Sequence, residues 1–70
     1  MNNIYNKEML RRLRGDKTKV EFAKLLGVSK QLYQFLENGR HREIPIPVVQ
    51  RLKNRYNLTP EQVLDLIGIR

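Results

Sequence analysis

Glycine recurs at a regular interval over the first 39 residues of this chain. Gly15, Gly27 and Gly39 lie twelve residues apart, and the sequences between them do not repeat. Glycine adopts the left-handed backbone conformation that ends helices at little cost, so this spacing divides the chain into segments of helix length. We therefore expect short helices joined by tight turns, and not a solenoid of repeated units.

Apolar residues before the first glycine have helical spacing. Met9, Leu10 and Leu13 would lie on one face of a helix. This pattern predicts a first helix from about Asn6 to Arg14.

The next two segments carry start and stop signals of helices. Thr18 and Glu21 have the spacing of a capping box, which predicts a second helix that Gly27 ends. Ser29 can cap a third helix, which we expect to reach about Asn38. The apolar positions of the second helix are Val20, Phe22, Ala23, Leu25 and Leu26.

Prolines define the start of a fourth helix. Residues 40–46 are predicted to form a loop, because Pro45 disfavours helical geometry at Ile44. Pro47 is predicted to be the first residue of the helix, where a missing amide has no consequence. Its apolar stripe consists of Val48, Val49, Leu52 and Tyr56.

A fifth helix has the clearest start. Thr59 is the predicted cap, Pro60 the first residue, and Gln62 completes a second capping box. Gly68 is expected to end the helix. The residues expected to face the core are Val63, Leu64 and Ile67.

These five short helices predict an all-α bundle, which we interpret as a single domain over residues 1–70. A chain of this length buries about 60–65% of its unfolded surface, which leaves no room for a deep substrate pocket. There is no cysteine, and one histidine is too few for a zinc site. The seven carboxylates show no pairing with a nucleophile, so we expect no enzyme, metal, cofactor or small-molecule ligand.

The charge of the chain indicates a polyanionic partner. Fourteen Lys and Arg against seven Asp and Glu give a net charge of +7. Residues 1–56 carry all but one of the basic residues. Nucleic acid is the first candidate and an anionic membrane the second, although such charge can also serve solubility alone. No apolar run approaches the roughly 20 residues of a membrane span. The absence of cysteine suits a reducing cytoplasm.

The third helix divides into a polar and an apolar arc. At about 100° per residue, one arc of about 140° holds Lys30, Gln34, Asn38, Gln31 and Phe35. The opposite arc holds Leu32, Leu36 and Tyr33. The polar arc has the hydrogen-bond donors and acceptors that base edges require. A solvated amphipathic helix would show the same division.

Residues 18–38 resemble the lambda-repressor-like helix-turn-helix family of phage repressors, Cro-type proteins and bacterial regulators. The similarity is carried by residues 22–29 (FAKLLGVS) and 36–39 (LENG), and extends more loosely from Met9 to Ile67. Ala23 stands where that family has a small residue between its two helices, and Gly27 stands in its turn.

The resemblance implies that the third helix, about residues 30–38, enters the major groove of DNA. Lys30, Gln31 and Phe35 occupy positions that read bases, and Gln34 shares their arc. The expected phosphate contacts are Lys19, Asn38, Arg40 and Arg42.

Three residues depart from the family pattern or stay open. Tyr33 fills a position that is usually aliphatic, so its hydroxyl needs a partner or a route to solvent. Phe35 replaces a common polar reader and could instead cover the core or contact a protein. His41 is expected to be a solvated residue or a neighbour of a phosphate.

We therefore expect a sequence-specific transcriptional regulator of phage or prophage type, a repressor or Cro-like protein in the cytoplasm of a bacterial cell. Its partner would be double-stranded DNA with a palindromic operator. A homodimer could form through Leu66, Ile67 and Ile69, unless these residues complete the core. Two alternatives stay open, namely non-specific architectural DNA binding and a protein-binding module with Phe35, Leu32 and Tyr33 as its docking patch.

Overall fold

The computed structural model describes residues 5–68 and consists of five helices in that range, without a strand. The predicted all-α fold class is confirmed. The helices are α1 (Lys7–Arg14), α2 (Lys19–Leu26), α3 (Lys30–Glu37), α4 (Ile46–Tyr56) and α5 (Pro60–Ile67). None of these described helices is long and apolar enough to cross a membrane.

The predicted caps determine where α2, α3 and α5 begin. The Thr18 hydroxyl accepts from the Glu21 amide at 3.1 Å, and the Glu21 carboxylate accepts from the Thr18 amide at 2.9 Å. Thr59 and Gln62 form the same capping box at the start of α5. Ser29 caps α3 by accepting from the amide of Leu32. These side chains satisfy amides that have no partner inside the helix.

The start of α4 corrects one boundary. The helix begins at Ile46, with Pro45 as its cap residue, so Pro47 is the second helical residue and not the first. Both positions lie in the first turn, where amides have no intrahelical acceptor. A proline therefore fits either of them, and its presence alone does not distinguish the two.

The core forms where the five helices meet. The Phe22 ring of α2 packs edge-to-face on the Tyr33 ring of α3, with centroids 5.2 Å apart. Ala23, beside them in α2, is also buried, in agreement with the small residue that the resemblance requires at this position. The other fully buried large side chains are Leu10, Leu26, Leu36, Val48, Leu52 and Leu66.

The core face of α5 differs from the expectation. The sequence predicts that Leu64 faces inward, yet 44% of it is exposed, whereas Leu66 is fully buried. Val63 packs against the core together with Leu66. At about 100° per residue, Leu64 lies about 160° from Leu66, so only one of the two can face inward. The proposed dimer contact through Leu66 is therefore wrong.

The two other residues expected in the dimer contact are Ile67 and Ile69. Ile67 is half-buried in α5. Ile69 lies outside the described residues.

The segment before α1 ties two distant helices together. The Tyr5 hydroxyl donates to the carbonyl oxygen of Leu36 at 2.7 Å, and the amide of Asn6 donates to the carbonyl oxygen of Leu66 at 2.8 Å. The side chain of Tyr5 is itself buried. The first described residues thereby hold the end of α3 and the end of α5 in place.

Candidate nucleic-acid interface

The turn between α2 and α3 is built around Gly27. Its φ is 73°, and the amide of Val28 donates to the carbonyl oxygen of Ala23 at 3.0 Å. The amide of Gly27 donates to that of Lys24 at 3.1 Å. This pair of hydrogen bonds is a Schellman motif, in which the left-handed residue reverses the chain directly after the helix. The turn thereby sets the direction in which α3 leaves α2.

Arg51 of α4 covers this turn. A Cβ atom on Gly27 would lie 2.6 Å from Nη1 of Arg51 and 2.8 Å from its Cζ. The guanidinium therefore lies directly against the glycine backbone. A shallow groove of about 410 Å³ adjoins it, lined by Leu25, Arg51, Asn54 and Arg55.

The polar arc of α3 faces solvent. Lys30 and Gln31 are exposed and Gln34 is half-buried. Phe35 is 41% exposed, so part of its ring is accessible to a partner while the rest lies against the helix surface. On the opposite side, Tyr33 is fully buried. The structure therefore brings all four residues expected to read bases, Lys30, Gln31, Gln34 and Phe35, to one surface.

The end of α3 determines the position of Arg40. The amide of Gly39 donates to the carbonyl oxygen of Leu36 at 3.1 Å, and the amide of Arg40 donates to that of Phe35 at 2.9 Å. This second Schellman motif holds the Arg40 backbone against the last turn of the helix. The side chain of Arg40 is exposed, as are those of Asn38 and Arg42.

His41 lies in the same loop. Its Nδ1 is 2.9 Å from the carbonyl oxygen of Glu43. Since a carbonyl oxygen only accepts, Nδ1 carries the proton in this hydrogen bond. The imidazole thus stabilises the loop that presents Arg40 and Arg42.

Lys19, the first residue of α2, lies beside the end of α3. Its Nζ is 3.8 Å from Oε2 of Glu37, and 34% of its side chain is exposed. The cation is therefore shared between a carboxylate of the protein and the solvent. Sequence reasoning placed Lys19 at the surface and did not identify this partner.

Glu37 is a buried carboxylate with hydrogen-bond partners from two helices. It is 4% exposed and accepts from the Tyr33 hydroxyl at 2.6 Å and from Nε of Arg14 at 2.9 Å. A second basic group, the Lys19 ammonium, lies 3.8 Å from its Oε2. A buried carboxylate requires such partners, because desolvation of an unpaired charge is strongly unfavourable.

Tyr33 obtains from Glu37 the partner that its hydroxyl needed. Burial raises the pKa of this phenol strongly, and the hydrogen bond to Glu37 raises it further. Tyr33 and Glu37 are four residues apart on one helix, a spacing that could have suggested the pair. Arg14 is 23 residues from Glu37 in the chain, and no local pattern connects the two.

The burial of Tyr33 also corrects the protein-docking alternative. That surface required Phe35, Leu32 and Tyr33 together, and Tyr33 is 0% exposed. Leu32 packs against the core and is only partly exposed. Phe35 is thus the one large exposed apolar side chain of α3, and the docking patch as composed does not exist.

Cations also lie on the other helices. Among the described residues, the exposed cations outside that surface are Arg11, Arg12, Lys24, Arg51, Lys53 and Arg55. Positive charge is therefore not confined to α2 and α3. What distinguishes α3 is the arc of amide, ammonium and aromatic groups opposite its buried face.

Two helices joined by a tight glycine turn, the second of which exposes a polar arc, define a helix-turn-helix protein. Comparison with protein families supports the same class. The family described as helix-turn-helix matches residues 9–63, and the chain belongs to this family, of the Cro/C1 type. The family is one of DNA-binding regulators. No curated protein and no solved structure matches the chain.

Proposed function

We propose that this protein is a sequence-specific transcriptional regulator that reads the major groove of DNA with α3. The observation that carries the proposal is the arc of exposed Lys30, Gln31 and Phe35 with half-buried Gln34, on the second helix of a helix-turn-helix unit. An α-helix fits the major groove, where each base pair presents a distinct pattern of donors and acceptors. The protein acts by binding, and it needs no catalytic group.

The chemistry of this arc matches base edges. Gln31 and Gln34 have side-chain amides that can pair bidentately with adenine, and Lys30 can reach O6 and N7 of guanine. The exposed ring of Phe35 can contact a thymine methyl group. Ser29 caps α3 with its hydroxyl and so fixes the backbone of the first turn, from which Lys30 and Gln31 extend.

Phosphate contacts on both sides of α3 supply most of the affinity in this proposal. Lys19 lies at the start of α2, and Asn38, Arg40 and Arg42 lie at and beyond the end of α3. About six phosphate contacts give a slope of about −5 in a plot of log K against log salt concentration.

One unit of this size contacts few base pairs, so we propose that two copies bind a palindromic operator, with half-sites about one helical turn apart. We further propose that the protein is a phage or prophage repressor or a Cro-like protein, and that it acts in a bacterial cell. In this proposal residues 1–70 form a single domain. The dimer contact does not include Leu66, which is buried. Sedimentation of the protein with and without an operator duplex measures the stoichiometry.

Selection from random duplexes, followed by gel-shift titration at two salt concentrations, tests the proposal. We expect a palindromic motif and a steep salt dependence. Salt-sensitive binding without an enriched motif would indicate architectural binding. A protein that binds no duplex even at low salt would contradict both functions.

Substitution of one base reader gives a finer test. We expect Gln31→Ala to relax the preference at one base position, because the arc loses one amide, and Lys19→Ala to weaken all sequences nearly equally. Gln50→Ala is the matched control, since Gln50 is an exposed glutamine on α4. Selection repeated with each variant measures the difference. If Gln31→Ala and Lys19→Ala both weaken all sequences uniformly, α3 is not the reading helix.

A further inference from the structure

A buried carboxylate joins three helices beside the proposed phosphate contact. Oε1 of Glu37 accepts from the Tyr33 hydroxyl and from Nε of Arg14. Its Oε2 lies 3.5 Å from Nη2 of Arg14 and 3.8 Å from Nζ of Lys19. One negative charge therefore faces two cations, which come from α1 and α2.

The two cations are held differently. The guanidinium of Arg14 makes short contacts with Glu37 and also donates to the carbonyl oxygen of Lys17 at 3.1 Å, with 24% of its side chain exposed. The ammonium of Lys19 lies 3.8 Å from Glu37, longer than a hydrogen bond, and its side chain is 34% exposed. One carboxylate balances one cation. The ammonium of Lys19 therefore keeps charge and donors for another anion.

We propose that Glu37 is a positioning residue for DNA binding, which holds the Lys19 ammonium at the start of α2 where a DNA phosphate arrives. This inference rests on the proposed function. An ammonium has three N–H donors, so it can face Glu37 on one side and a phosphate oxygen on the other. Tyr33 and Arg14 hold the carboxylate in place for this purpose.

The same negative charge has an opposite effect on affinity. A carboxylate near the phosphate backbone opposes electrostatic attraction, which is insensitive to sequence. Glu37 thus weakens binding to arbitrary DNA while it restricts Lys19 to one geometry. The consequence is weaker binding of arbitrary DNA than the same surface would show without this carboxylate.

A double-mutant cycle on Lys19 and Glu37 tests this coupling. We expect Lys19→Ala to weaken binding of the selected duplex about tenfold in the native background and less than about threefold beside Glu37→Gln. Glu37→Gln alone should strengthen binding of a random-sequence duplex pool, because the repulsion between the carboxylate and the phosphates is lost. Equal losses for Lys19→Ala in the two backgrounds, with both variants folded, would overturn the positioning role.

Glu43→Gln is the matched control. It removes the same charge from an exposed carboxylate in the loop after α3. We expect it to strengthen binding of both duplexes alike and to leave the loss caused by Lys19→Ala unchanged. If Glu43→Gln reduces the loss caused by Lys19→Ala as much as Glu37→Gln does, net charge alone explains the effect. That result would overturn the proposal.

A second measurement keeps Glu37 intact, because Glu37→Gln leaves Arg14 beside a neutral amide and could prevent folding. The ¹³C shift of the Glu37 carboxylate is followed while the random-sequence duplex is added. We expect a change in the native protein and none in Lys19→Ala. If the native protein binds the duplex but the ¹³C shift of its Glu37 carboxylate does not change, the positioning role of Glu37 is overturned and the proposed function is not. Failure of the native protein to bind any duplex would overturn the proposed function.

Discussion

Tyr33 shows how one side chain serves both the core and the surface. Its ring packs on Phe22, 5.2 Å between centroids, and its hydroxyl donates to Glu37 at 2.6 Å. An aliphatic residue at this position would lose the ring contact with Phe22 and would leave Glu37 with one hydrogen bond fewer. The tyrosine therefore links the apolar side of α3 to the carboxylate that faces Lys19.

The phenol of Tyr33 should make stability depend on alkaline pH. Its pKa is raised above 10.0 in the folded protein, so below pH 10 the group is neutral in both states and its contribution is fully present. As the pH rises above 10, unfolded tyrosine ionises and folded Tyr33 does not. Stability then changes by up to about 1.4 kcal/mol per pH unit for this group, and it falls because the unfolded state is the one that releases the proton. Urea unfolding of the native protein and of Tyr33→Phe, from about pH 8 to about pH 11, measures the effect.

The comparison with Tyr33→Phe separates this group from the others. Burial also raises the pKa of Tyr5, and this effect remains in the variant. We expect Tyr33→Phe to be less stable at neutral pH by about 1.5–3 kcal/mol, because a hydrogen bond to a charged group is lost. The difference should shrink above pH 10. Curves that stay parallel over this range would contradict the assignment.

Gly27 makes a backbone prediction at the same scale. With φ at 73°, Gly27→Ala should lower the free energy of unfolding by about 1–2 kcal/mol, because a Cβ disfavours the left-handed conformation. The contact with Arg51 adds little, since a guanidinium at the end of a long side chain can move away. Thermal unfolding of Gly27→Ala, Arg51→Ala and the double variant checks this. A loss that disappears in the double variant would show that contact, and not strain, is responsible.

At the scale of helices, two capping boxes of the same kind have different roles. Thr18 and Thr59 each begin a helix with a capping box, and the hydroxyl of each accepts an amide at 3.1 Å. The first box orders the turn that begins with Lys19. The second orders the start of α5, whose buried Leu66 completes the core.

This difference gives a matched pair of variants. Thr18→Ala and Thr59→Ala should each lower the free energy of unfolding by about 1 kcal/mol, because each loses one cap. We expect only Thr18→Ala to weaken DNA binding, since a frayed first turn of α2 disperses Lys19. Gel-shift titration at a temperature where both variants are folded measures this. Equal weakening by the two variants would mean that stability alone controls binding.

At the scale of the whole molecule, the five helices leave little reserve of stability. A domain of this length has a free energy of unfolding of about 4–10 kcal/mol. Its core includes α5 and the segment before α1, which are joined through Asn6 and the carbonyl oxygen of Leu66. Loss of any one large buried side chain is therefore a large fraction of the total.

The two phenylalanines of the chain should separate stability from binding. Phe22 is fully buried, so Phe22→Ala should cost about 3–5 kcal/mol and leave much of the protein unfolded. Phe35 is 41% exposed, so Phe35→Ala should cost less than about 1 kcal/mol while it weakens binding of the selected duplex. Urea unfolding and gel-shift titration measure the two effects. Unchanged binding by a folded Phe35→Ala variant would remove Phe35 from the readers.

Local chemistry in the sequence was enough to predict most of the helices. Caps, prolines and glycines act within four or five residues, so Thr18, Ser29 and Thr59 indicated helix starts that the structure confirms. The polar arc of α3 was predictable for the same reason, since one helix has one period. The exact start of α4 near Pro47 was not predictable, because proline fits both of the first two helical positions.

Tertiary structure decided what depends on residues far apart in the chain. The packing of α5 against the other helices determines which of its apolar faces is buried. That face contains Leu66 and not Leu64. The packing of α1, α2 and α3 determines the partners of Glu37. It places Nε of Arg14 2.9 Å from Oε1 of Glu37. Periodicity defines the faces of a helix, but only the neighbouring helices determine which face loses water and which charges must be paired.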